Sequence, residues 1–87
     1  MKVMDVEMAE FLNKLFRKGN WNHSYDRGEH FKRFRNLSKI ISDLKKEGWI
    51  IIHKKPKFTA YSLNTEHKKE IIEFIEKNKP ELKGTFK

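Results

Sequence analysis

The 87 residues of this chain predict a single α+β domain: a three-helix core, one β-hairpin and a C-terminal helix. Three observations carry that reading. Apolar residues recur at helical spacing in three stretches, and two β-rich runs flank a short polar connection. A chain this short also has apolar surface for one core only. The domain is expected over residues 1–80, with 81–87 as a flexible tail beyond Pro80.

Met8, Phe11, Leu12, Leu15 and Phe16 fall on one stripe and predict a helix over 5–18. Asp5 suits its N-cap, Arg17 and Lys18 its last turn, and Gly19 its end. Residues 20–35, NWNHSYDRGEHFKRFR, carry no clear period. Asp26 followed by Glu29 resembles a capping box and predicts a short helix over 27–33, with Trp21 and Tyr25 as half-buried anchors of the loop before it. Leu37, Ile40, Ile41 and Leu44 predict a helix over 36–47, capped by Asn36 and ended by Gly48. Residues 49–53 and 58–63 predict a hairpin whose Pro56 stays out of the ladder, with Trp49 in the core. Asn64 or Thr65 then caps a last helix to Asn78, with Ile71, Ile72 and Ile75 inward.

The net charge is +8, and its placement says more than its size. Residues 17–57 hold twelve basic and four acidic residues, a net of +8, while the remainder holds eight of each and is neutral. Charge kept only for solubility has no reason to segregate this way. A positive middle between balanced ends suggests a polyanion partner.

Several classes drop out. With no cysteine there is no disulfide, thiolate metal site or cysteine nucleophile. The longest apolar run, residues 49–52, is far short of the ~20 residues of a membrane span, and the N-terminus lacks a secretory core. An intracellular, cytoplasmic and nucleoid-associated protein is therefore expected. His23, Asp26, Glu29 and His30 could be drawn as a metal site, but their spacing fits no zinc pattern, and no metal, cofactor or small-molecule ligand is expected. No nucleophile triad or Gly-rich phosphate loop is present, so no enzyme activity is expected either.

The stretch LSKIISDLKKEGWIIIHKK…KFTAYSLN resembles the winged helix-turn-helix superfamily: a recognition helix ending in a Leu-x-x-x-Gly-apolar step, a basic wing, and a Tyr-x-Leu-Asn return strand. The likeness covers residues 36–64 and is similar to small archaeal or viral single-domain members. It departs at the second helix, which is short and contains Gly28. The resemblance implies a winged helix that binds double-stranded DNA as a small transcriptional regulator. Members of the superfamily also bind RNA or other proteins, so an RNA-binding protein, or an interaction module of a transcription or repair assembly, is the alternative.

The residues support the DNA reading on physical grounds. A helix entering the major groove needs one face in the core and an opposite face of cationic and hydrogen-bonding groups. Arg35, Asn36, Ser38, Lys39, Ser42, Lys45 and Lys46 supply the second face, the serines and Lys39 toward the bases. His53, Lys54, Lys55 and Lys57 supply the wing, stiffened by Pro56. Arg27, Lys32 and Arg33 are expected on the DNA backbone. A homodimer through the first and last helices, with Phe74 and Phe86 as apolar contacts, would carry two recognition helices to successive grooves.

Overall fold

The computed structural model describes residues 3–84. Three α-helices, α1 (Val3–Arg17), α2 (Leu37–Glu47) and α3 (Lys68–Asn78), pack with a three-stranded antiparallel sheet. Its strands are β1 (Asp26–Arg27), β2 (Ile50–Lys54) and β3 (Thr59–Leu63), in the order β1-β3-β2.

The periodic stretches form as their patterns predict. Met8, Phe11, Leu12 and Leu15 of α1, Ile40 and Leu44 of α2, and Ile71 and Ile75 of α3 are all buried. Leu37, Ile41 and Phe16 are half-buried and pack against that core. Gly48 ends α2 at φ 76°, and its N–H donates to the carbonyls of Leu44 and Lys45. A side chain would be strained in that left-handed turn, which explains glycine there. The hairpin pairs Ile50 with Leu63 through to Lys54 with Thr59, and the Lys55 N–H to Phe58 carbonyl bond (2.9 Å) closes the turn around Pro56. Asn64 links hairpin to helix: its side chain accepts from the Glu66 N–H and donates to the Gly48 carbonyl, both at 3.0 Å. The capped segment begins as a 3₁₀ turn over Thr65–His67 before α3.

Several expectations are corrected. Asp5 is not an N-cap, because α1 begins at Val3 and places it in the first turn. Asn36 precedes α2 but leaves it uncapped; its side-chain amide donates to Glu7 at 3.1 Å instead. No α-helix forms over 27–33. Asp26 and Arg27 form β1, opposite Tyr61 and Ala60 of β3, and Gly28–Phe31 follow as a 3₁₀ turn. Gly28 permits this crossing: a Cβ there would lie 3.0 Å from the Thr59 carbonyl oxygen and 3.2 Å from the Tyr61 ring. Backbone cannot yield at that distance, so any side chain would push β1 off β3.

That turn delivers Phe31 and Phe34 into the core. Both are buried, and with Phe11 and Tyr61 they form an aromatic nucleus in which Phe31 lies 4.7 Å from Phe11 and 6.0 Å from Tyr61. Edge-to-face and tilted pairs at these separations add attraction beyond area burial. Trp49 is half-buried and meets Phe74 of α3 edge-to-face at 5.5 Å. After Asn78 the chain continues as a 3₁₀ turn over Pro80–Leu82, with Leu82 packed on the core and the Gly84 N–H donating to Glu76. Residues 85–87, and with them Phe86, lie outside the described residues. Among the described residues, no helix is long and apolar enough to cross a membrane.

Candidate nucleic-acid interface

The polar face of α2 follows from its apolar one. With Ile40 and Leu44 fixed inward, Ser38, Lys39, Ser42, Lys45 and Lys46 are left exposed, and Arg35 and Asn36 are exposed just ahead of them. The first turn of α2 carries no acidic residue, and Lys45 and Lys46 complement its C-terminal dipole. Asp43 pairs with Lys39 at 3.1 Å, which holds that lysine along the helix surface. At the hairpin tip Lys54, Lys55, Pro56 and Lys57 are all exposed.

His53 differs from the other residues expected on the wing. Its Nε2 lies 2.9 Å from Ser62 Oγ and 3.1 Å from the Asn22 carbonyl oxygen. Ser62, fully buried, donates its hydroxyl proton to that same carbonyl at 2.6 Å. The proton on Nε2 must therefore be the imidazole's own, donated to Ser62 or Asn22. The His53 side chain thus ties the hairpin to the 20–25 loop, and this nitrogen is spoken for.

Arg27, on β1, lies against the hairpin turn: its guanidinium sits 4.3 Å from the Phe58 ring centre and 3.7 Å from Glu29. Lys32 and Arg33 are exposed on the turn before α2, with Arg33 over the Phe34 ring at 5.0 Å. Arg33 also borders a hollow of about 660 Å³ lined by Lys14, Arg17, Lys18 and Lys79, with Glu10 as its acid. Sequence reasoning treated Arg17 and Lys18 as dipole complements and passed over Lys14. Their i, i+3, i+4 spacing on α1 was the signal for a second basic surface. Burial first, then the Lys18 and Arg33 charges, pull the Lys14 ammonium below the ordinary lysine value. That ammonium donates to the His30 carbonyl and lies 4.7 Å from the Phe31 ring centre.

Asp26 is the buried hinge beneath these residues. Its carboxylate takes hydrogen bonds from Lys18 (3.0 Å), His30 Nδ1 (2.5 Å) and the Arg27 N–H (3.1 Å). Burial pushes its carboxyl up, but the Lys18 and His30 hydrogen bonds together outweigh that and hold it below the ordinary value. A lowered folded value gives stabilisation that is complete above the unfolded value of about 4 and is lost as pH falls through the folded one. Asp26→Asn is accordingly expected to destabilise the fold by about 1–3 kcal/mol at neutral pH, with the gap to wild type closing below about pH 4. Urea unfolding at both ends of that range checks it. A gap that is unchanged in acid would show that the charge is not what Asp26 contributes.

Asp26 and His30 thus come together as a hydrogen-bonded pair. Among the described residues, no three His, Asp or Glu side chains converge as a metal site. Trp21 is half-buried, meeting Phe16 edge-to-face at 5.6 Å, so it caps the core as its loop position predicts. Tyr25, expected as a half-buried anchor, is instead the exposed exception among the large apolar side chains of the described residues, at 37%. Compared with protein-family models, with curated proteins and with solved structures, the chain matches none.

Proposed function

We propose that the chain is a winged-helix protein that binds double-stranded DNA, with α2 in the major groove and the β2–β3 hairpin as a wing on the backbone or minor groove. The observation that carries this reading is a shared polarity. The face of α2 opposite its core stripe and the tip of the hairpin are both exposed and lysine-rich. An α-helix with such a face fits the major groove, where base edges present distinct donor and acceptor patterns. Ser38, Lys39 and Ser42, in the N-terminal part of α2, are the base-facing candidates; Arg33, Arg35, Lys45 and Lys46 hold phosphates. The role that fits a basic helix face and a basic hairpin tip is a small transcriptional regulator. It would dimerise through α1 and α3, with Phe74 beside Trp49 as the apolar contact.

Titration of a mixed-sequence duplex at several salt concentrations tests the reading. If on the order of five phosphates are neutralised, the logarithm of the affinity should fall with log salt at a slope of about −4 to −5. Duplex should also be preferred over single strands of the same sequence. An absence of duplex binding at low salt would overturn the proposal and favour an acidic protein partner for the basic face. Preference for structured or single-stranded RNA would favour the RNA reading.

A further inference from the structure

Three aromatic rings stand outside the core on the wing side of the molecule. Tyr25 lies 4.8 Å from His53 at an interplanar angle of 37°, and 6.0 Å from Phe58 at 42°. None of the three belongs to the buried cluster around Phe11 and Phe31, which is complete without them. Their positions are nevertheless fixed. The Ser62 and Asn22 hydrogen bonds hold the His53 ring, and the Lys55 N–H to Phe58 carbonyl bond closes the turn that carries Phe58. Two cations lie over the rings: Lys55 Nζ is 5.5 Å from the Tyr25 centre and the Arg27 guanidinium 4.3 Å from that of Phe58.

We propose that Tyr25, His53 and Phe58 form a stacking platform for an unpaired nucleobase, so that the protein engages a duplex beside a single-stranded or extruded nucleotide. The inference rests on the nucleic-acid reading above and adds a ligand feature to it. An exposed tyrosine held against a histidine offers a preformed π-face, and any base can stack on it. Lysine and arginine side chains are long and flexible, so a base arriving on Tyr25 displaces the Lys55 ammonium toward the phosphate of the same nucleotide. The cations around the platform disfavour a cationic guest, and a base with its phosphate satisfies both the rings and the charges. The wing lysines on the same hairpin would already follow the backbone, so the next unpaired base lies within reach.

Four ligands and three proteins decide the matter. The ligands share one duplex core: blunt, with a three-nucleotide overhang carrying 2-aminopurine, with an abasic overhang of equal length, and the overhang strand alone. The abasic arm carries the same phosphates, so the difference between the two overhangs isolates the bases. Wild type should bind the base-bearing overhang about five- to tenfold tighter than the abasic one, the low end of what stacking on an aromatic ring supplies, with a change in 2-aminopurine emission. Tyr25→Ala should abolish that difference while leaving blunt-duplex affinity within about twofold, as expected of an exposed residue. Tyr25→Phe should retain it.

Equal affinity for the two overhangs, with salt-sensitive blunt-duplex binding intact, would overturn the platform and leave the duplex reading standing. A preference that survives Tyr25→Ala would also overturn it. Tyr25-dependent binding of the single strand without duplex binding would support the platform and defeat the duplex reading. If Tyr25→Ala weakens the blunt duplex as much as the overhang, the rings are a hairpin clamp and the platform falls. Binding to none of the four overturns both.

Discussion

Replacement of Lys54, Lys55 and Lys57 together by alanine is expected to weaken blunt-duplex binding on the order of 100-fold near 0.1 M salt and to make the salt slope shallower by about 2–3. All three side chains are exposed, and among the described residues none is paired with a carboxylate. Their charge is therefore free to displace counterions, at about 0.9 log unit of affinity per log unit of salt for each phosphate neutralised. Folding should be indifferent to the change, because the ladder from Ile50–Leu63 to Lys54–Thr59 uses backbone groups only. Surface substitutions of this kind shift stability by about 0.5 kcal/mol or less. A control with equal loss of charge is Lys69→Ala/Lys77→Ala/Lys83→Ala, on or just beyond α3, where all three side chains are also exposed. It should leave the slope unchanged. Anisotropy titrations of both variants at several salt concentrations make the comparison. Equal losses in both would mean that the protein coats DNA through its net charge and that the wing has no special place.

The β2–β3 hairpin and α2 were legible because exposure there is a consequence of period. Once Ile40 and Leu44 face inward, the opposite side of the helix, with Ser38, Lys39, Ser42, Lys45 and Lys46, must face out, and a two-strand pattern broken by Lys-Lys-Pro-Lys leaves those lysines at a tip. Gly48 and Asn64 were legible for a similar reason: each acts on backbone groups close in sequence or just across the hairpin. The 20–36 segment was not legible, since the contacts that place it come largely from residues distant in sequence. The Asp26–Glu29 spacing matches a local capping box, yet Asp26 finds Lys18 from the turn after α1 and a strand partner in Tyr61. Gly28 looks like a flaw in a helix until β3, thirty-odd residues later, is laid across it. His53 reads as one more wing residue; its engagement with Ser62 and Asn22 depends on a loop that sequence pattern cannot fold. The basic hollow beside α1 was hidden by a local explanation that was sufficient, the favourable dipole of a helix C-terminus.

Phe31 concentrates that distant information in one side chain, and Phe31→Ala is expected to have the largest effect on stability. The ring is fully buried, 4.7 Å from Phe11, 6.0 Å from Tyr61 and 6.2 Å from Phe34, so it joins α1, β3 and the turn before α2. Truncating such a residue removes its transfer free energy and leaves a cavity, a loss of about 3–5 kcal/mol. A domain of this size has only about 4–13 kcal/mol in total, so urea unfolding should shift to far lower denaturant. Phe31→Leu keeps much of the volume and should lose about 1.5 kcal/mol or less. The two variants also separate folding from binding. In Phe31→Leu the turn keeps its anchor, so Arg33 and Arg35 keep their places and duplex affinity should stay near wild type. In Phe31→Ala the turn loses its hold on the core, and affinity should fall further than the unfolded fraction accounts for. A loss under about 1 kcal/mol for Phe31→Ala would mean that the aromatic nucleus does not anchor the turn. The segment before α2 would then need another explanation for its placement.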